Sequence, residues 1–274
     1  MLRRYSNSRT LKDNIQLGSL TALAAGMVNI VSLLIFFAFT SNVTGHYAIL
    51  AAEILRGNLF QVAVVLSWIF LFFLGSFISN FIIIHLSKFH TYLAHALPLG
   101  LEILCLLGVG IYGQFFYAET LAETEVLLSF MLFAMGLQNG LTASISNFLV
   151  KTTHLTGATT DLGILFSMFT RKEYRENKDL QGRAKLLISI MISYLAGAII
   201  AGWAYYTLGF IVFYAICLVL VGVIIYDTYK IRLVQKLKSR KHQAVVEVSL
   251  KDFQIGEKIK KKSPAEESFT MYQQ

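Results

Sequence analysis

The sequence predicts an all-α, polytopic membrane protein, and three observations carry that expectation. Hydrophobic residues make up 55% of the 274 and charged residues only 15%, with a mean hydropathy of +0.60, a balance that no soluble surface absorbs. Six apolar stretches, each with at most one Lys, Arg, Asp or Glu, match the roughly 20 residues that a helix needs to cross a hydrocarbon core of about 30 Å. Two shorter apolar stretches open on the same Thr-Gly pair and stand in corresponding places along the chain. Continuous apolar runs exclude a transmembrane barrel, whose strands alternate. Composition also excludes disordered, collagen-like and disulfide-scaffold chains.

Residues 1–16 form a basic segment with Arg3, Arg4, Arg9 and Lys12. The apolar run that follows is too long for the core of a signal peptide and ends without a small-residue cleavage site, so it is expected to stay attached. The six spans are expected at Leu17–Phe39, Leu59–Ile84, Leu93–Tyr117, Val126–Val150, Leu186–Tyr206 and Leu208–Tyr226. The short pieces are Val43–Leu55 and Leu155–Thr170. The first reaches only about 20 Å as a helix, which favours six spans plus two short helices held within the protein over eight spans. Basic residues flank the cytoplasmic ends of membrane helices. That rule puts both termini inside, together with the loop carrying Arg171, Lys172, Arg175, Lys178, Arg183 and Lys185. The chain therefore divides into a basic N-terminus (1–16), a first membrane half (17–117), an acidic linker with Glu119, Glu123 and Glu125 (118–125), a second membrane half (126–228) and a polybasic cytoplasmic tail (229–274).

The two halves read as an internal duplication. Ser41-Asn42-Val43-Thr44-Gly45-His46 and Thr152-Thr153-His154-Leu155-Thr156-Gly157 each precede a short helix. Each follows a long span with polar residues on one face, Thr21, Asn29 and Ser32 in one half and Asn139, Thr142 and Ser146 in the other. Each is followed by a span with close small residues, Gly75 and Ser79 or Gly197 and Gly202. With six spans the halves lie inverted in the membrane, an arrangement found in transporters. The run Ala24-Ala25-Gly26-Met27-Val28-Asn29, the Ser41 to His46 segment, and Leu137-Gln138-Asn139-Gly140 with Thr156-Gly157 resemble the YoaK family of bacterial inner-membrane proteins, a family of unknown function. The likeness spans roughly Leu17 to Tyr226. It implies a polytopic bacterial inner-membrane protein and supplies no activity. Members often carry Asp at the position of Asn29 and Asn at that of His46, so this chain reads as a Thr-Gly-His variant.

The candidate solute- or ion-binding residues are Asn29, Asn42, Thr44, Gly45, His46, Glu53, Gln138, Asn139, His154, Thr156, Gly157 and Asp161. Glu53 and Asp161 are carboxylates at membrane depth, costly enough to suggest a coupling role, and helical geometry projects them toward a common axis. The Thr-Gly pairs suit helix starts, where an oxygen accepts from free backbone N–H groups and a buried start attracts an anion. His46 and His154 are placed to pair with the carboxylates or to titrate near neutrality. Gln138 and Asn139, with Asn29, either line a polar path or bond helices together. Glu102, after Pro98, reads as interfacial, as do His85, His90 and His95. Cys105 and Cys217 read as inert thiols in apolar surroundings.

No metal or other cofactor is expected. Gly108 to Gly113 matches a dinucleotide fingerprint only as a string, because no strand precedes it, and no hydrolase motif occurs, so enzymatic activity is not expected. The tail, with Lys258 and Lys260 to Lys262, is expected to attract anionic lipid rather than nucleic acid. The leading functional expectation is a transporter-like protein for a small solute or ion. The alternative is a non-transporting scaffold or sensor that binds lipid or a protein partner through the tail.

Overall fold

A computed structural model describes residues 10–226 and residue 229, and among these every regular element is helical. The chain first forms α1 (Leu11–Phe36), α2 (Val43–Arg56), α3 (Leu59–Leu86) and α4 (Thr91–Phe115). It continues with α5 (Leu121–Ile145), α6 (Leu155–Met168), the single turn α7 (Lys172–Arg175) and α8 (Lys178–Leu208). A 3₁₀ turn at Gly209–Ile211 then leads into a last helix, α9, at residues 212–226. The basic residues before Thr10 and the polybasic tail from Lys230 lie outside the described residues.

Local chemistry sets the boundaries. Thr10 and Thr120 each start a helix with a capping box, the threonine hydroxyl accepting from the N3 backbone and the N3 carboxylate, Asp13 or Glu123, accepting from the cap N–H. Both helices end where the chain enters the left-handed region, at Phe37 (φ 54°) and at Asn147 and Phe148 (φ 55° and 63°). The sequence places the start of α8 at Leu186, but the helix begins eight residues earlier. Asn177 caps it by accepting from Asp179 and Leu180 N–H, and the charged first turns stay outside the apolar segment.

Among the described residues, five stretches are long and apolar enough to cross a membrane: Leu11–Phe36, Leu59–Leu86, Tyr92–Phe115, Leu121–Ile145 and the 49 residues Lys178–Tyr226. The last would measure about 70 Å if straight, more than twice a hydrocarbon core. It turns at Gly209, whose φ of 56° and ψ of −133° suit a residue without Cβ. The short helices α2 and α6 have 14 residues each, about 21 Å of rise.

Two helix pairs form the centre of the bundle, α1 with α8 and α3 with α5. Backbone approaches backbone in both. A methyl group on Gly26 would overlap the Tyr194 carbonyl, and one on Gly197 the Leu23 carbonyl; in the other pair, Gly136 meets Phe72 and Gly75 meets Phe133 in the same way. Small residues permit this approach, which yields close van der Waals packing where lipid removes the usual hydrophobic drive between helices. Each pair runs parallel: Ser19 bonds Ser189 at 2.7 Å while Gly26 faces Tyr194, and Gly75 faces Phe133 while Ser144 donates to Asn80 at 2.9 Å.

The outer helices fix the ends of the bundle. Tyr226 donates to Gln16, near the start of α1, whereas Phe36, at its end, packs edge-on against Tyr117, which packs against Phe210. Consequently α1 and α4 run the same way and α9 runs against both. Phe73, Phe77 and Phe81 stack along the exposed side of α3, and many apolar side chains of the other long helices point outward, as expected of surfaces that meet lipid.

Candidate functional site

The site begins with two asparagines. Asn29, 2% exposed in α1, donates to the Ala25 carbonyl one turn back at 3.0 Å. Its carbonyl accepts from Thr40 N–H and hydroxyl, both at 3.2 Å, and from the Ser41 hydroxyl at 3.0 Å. Asn139 in α5 repeats this, donating to Met135 O at 2.9 Å and accepting from the hydroxyls of Thr152 (3.4 Å) and Thr153 (3.0 Å). Each asparagine draws the chain that has left its helix back alongside that helix, so that the next helix starts within the bundle. Unpaired, these donors and acceptors would cost about 1–3 kcal/mol each.

The short helices start on that return. Asn42 caps α2 by accepting from Gly45 N–H at 3.2 Å, and its carboxamide folds over Gly45 where a Cβ would stand. His154 occupies the same position before α6, its ring folded over Gly157. The glycine of each Thr-Gly pair thus leaves the space in which the cap side chain lies. The difference lies in capping: the Asn42 side chain caps α2, whereas the His154 side chain makes no cap hydrogen bond to α6.

Between the two starts lies a cavity of about 620 Å³. It brings together six of the residues singled out in the sequence: Asn29, Asn42, Thr44, Asn139, His154 and Thr156. Sequence reasoning missed Ser76, Asn80, Ser144, Lys151 and Tyr194, which complete the polar wall. Lys151 is exposed and stands three residues before His154, a proximity readable in the sequence; Tyr194, within hydrogen-bonding reach of Ser41, comes from α8 and carries no local signal. Among the described residues no carboxylate lines the cavity, and Lys151 is the one permanently charged side chain in its wall.

The other expected residues lie elsewhere. Neither Glu53 nor Asp161 lines this cavity, and each is paired with an arginine. Glu53 is held at 2.6 Å by Arg56, one turn later, and the half-buried Asp161 at 2.7 Å by Arg183 of α8. His46 is buried, bonded through Nε2 to the Phe39 carbonyl at 2.9 Å and packed edge-on against Trp68, which donates to Glu125. It pairs with no carboxylate. Gln138 donates to the Thr21 carbonyl at 2.5 Å and joins α5 to α1 outside the cavity wall. Glu102 is not interfacial: it is fully buried near the middle of α4.

A family model described as "Protein of unknown function (DUF1275)" matches residues 17–226, all of the helical bundle but the first six residues of α1. The chain belongs to this family. The family includes YoaK-like proteins, so the resemblance of the Thr-Gly segments and the Asn29 and Asn139 runs holds. No curated protein and no solved structure matches the chain.

Proposed function

We propose that this is a transporter-like protein of the bacterial inner membrane, built from two inverted repeats that enclose a site for a small anionic solute. The duplication is supported position by position. Asn29 and Asn139, the helix ends at Phe37 and Asn147, the caps Asn42 and His154, and the glycine crossings of α1 on α8 and α5 on α3 all correspond. The inversion is supported by helix direction. With α1 and α4 running one way and α9 against them, the directions are consistent with six crossings in which α2 and α6 do not cross. An eight-span arrangement would set α4 against α1. Basic residues in the α6–α8 connection then favour cytoplasmic termini.

The observation that carries the solute class is the cavity wall. It holds two helix starts, one of them without a side-chain cap, hydroxyl and amide groups, and Lys151, with no carboxylate. Helix N-termini at membrane depth stabilise negative charge, as in transporters with broken helices. The test is thermal stabilisation of the purified full-length protein by small carboxylates, phosphate and sulfate, against quaternary ammonium ions and neutral sugars, followed by uptake into proteoliposomes. A ligand at about 100 times its Kd adds about 2.7 kcal/mol. Stabilisation by one anion class, weakened in Lys151→Gln, is the expected result. Stabilisation by cations or sugars alone would refute the anionic site.

A further inference from the structure

Outside the cavity, one ionisable group stands out by what it lacks. Glu102 is 0% exposed, and neither carboxyl oxygen has a hydrogen-bond partner. It lies ten residues into the 24-residue apolar segment Tyr92–Phe115, about 15 Å from that end. Leu99, Leu106, Ile216 and Leu220 belong to the same apolar core. On its own helix the nearest titratable groups are Cys105, three residues on, and the buried His95, two turns earlier and itself engaged in an interaction; from α9, the Cys217 thiol donates to the Ile103 carbonyl at 3.8 Å. The acidic and imidazole groups on the neighbouring α3 and α5 are engaged elsewhere. His85 bonds Phe81 O, Glu123 bonds Tyr112 and Thr120, and Glu125 bonds Trp68.

A carboxylate with no counter-charge at this depth costs about 2.5–3.5 kcal/mol on insertion scales, and a leucine or methionine would fill the same volume without that cost. Among the described residues no hydrogen bond or ion pair compensates for it. What such a group retains over an apolar one is the capacity to bind a proton. We infer that Glu102 is a proton-binding site of this protein, closed between α4 and α9 in the present conformation and reached from water when these two helices part. The chemistry is the reversible addition of one proton to the carboxylate and requires no further reactant. α4 and α9 are the third spans of the two proposed halves, so a rearrangement of one half against the other opens this contact. The site goes beyond the solute reading, because it lies outside the cavity and binds a different species.

The test uses the full-length protein in phosphatidylcholine vesicles without any solute, so failure of the anion reading leaves it intact. A membrane-permeant carbodiimide, dicyclohexylcarbodiimide, adds to protonated carboxyls in apolar surroundings, and peptide mass spectrometry locates the adduct. Glu102 is expected to be modified at about pH 6 and at least about tenfold more slowly at about pH 9, while a water-soluble carbodiimide leaves it untouched. Glu102→Asp, which keeps the carboxyl, is expected to retain labelling with its pH dependence, and Glu102→Gln to lose it. A Glu102 that never reacts, reacts equally at both pH values, or reacts as readily with the water-soluble reagent would overturn the assignment.

Discussion

Replacing Asn29 by leucine probes the device that returns the chain to α2. The substitution keeps the volume and removes an acceptor used by three donors, the Thr40 N–H and the Thr40 and Ser41 hydroxyls, in a position 2% exposed. The hydroxyls can rotate toward other acceptors, as Thr21 and Thr142 do toward carbonyls of their own helices. The backbone N–H cannot. One orphaned buried donor and two weakened ones amount to about 2–4 kcal/mol. At about 2–4 °C per kcal/mol for a bundle of this size, the melting temperature is expected to fall by about 5–15 °C. Asn139→Leu orphans only hydroxyls, those of Thr152 and Thr153, and is expected to cost about 1–2 kcal/mol. Differential scanning fluorimetry of the detergent-purified variants measures both. An Asn29→Leu protein as stable as the parent, or less affected than Asn139→Leu, would refute the claim that the carboxamide holds the return.

Other substitutions separate packing from the site. Gly136→Val and Gly197→Val each drive a branched side chain into a facing carbonyl and are expected to destabilise by about 3 kcal/mol or more, seen as loss of monodisperse protein in size-exclusion chromatography. Asp161→Asn breaks a half-exposed pair with Arg183 and is expected to shift stability by less than about 1 kcal/mol in the same fluorimetric assay, leaving anion-induced stabilisation unchanged. Lys151→Gln is expected to leave the melting temperature within about 1 °C and to weaken anion binding about tenfold or more, measured by titration of the thermal shift. Deleting residues 245–274 removes Lys258 and Lys260 to Lys262 and is expected to reduce salt-sensitive binding to anionic vesicles while helical circular dichroism per residue of the bundle is retained.

How far these features were legible depends on how local their causes are. Long apolar runs give α1, α3, α4 and α5 directly, and Thr10 and Thr120 with their N3 carboxylates mark two helix starts within four residues. The Thr-Gly segments and the asparagines before them are legible because a repeated pattern needs a repeated reason, here the return loop and the cap side chain lying on glycine. The partners of the carboxylates are not equally visible. Arg56 stands one turn from Glu53 and signals a neutralised pair, whereas Arg183 reaches Asp161 from 22 positions away, across the packing of α6 on α8. Tyr194 and Asn80 enter the cavity only because glycine crossings set the register of α8 on α1 and α3 on α5, which no local rule supplies. Glu102 reads as interfacial from its place after Pro98, yet the helix begins at Thr91, continues through the proline and carries the carboxyl to mid-segment.

The inverted arrangement around the cavity is tested most directly by the sidedness of three single cysteines, placed at Gly57, Ala122 and Glu176 in otherwise native protein whose Cys105 and Cys217 lie within apolar packing. Intact cells are treated with a membrane-impermeant maleimide, and inverted vesicles with the same reagent. If α2 and α6 do not cross, positions 57 and 122 are labelled from outside the cell and position 176 only in inverted vesicles. Labelling of all three from the cytoplasmic side alone would mean that both short helices cross, and the inverted halves with a shared site between their helix starts would be contradicted.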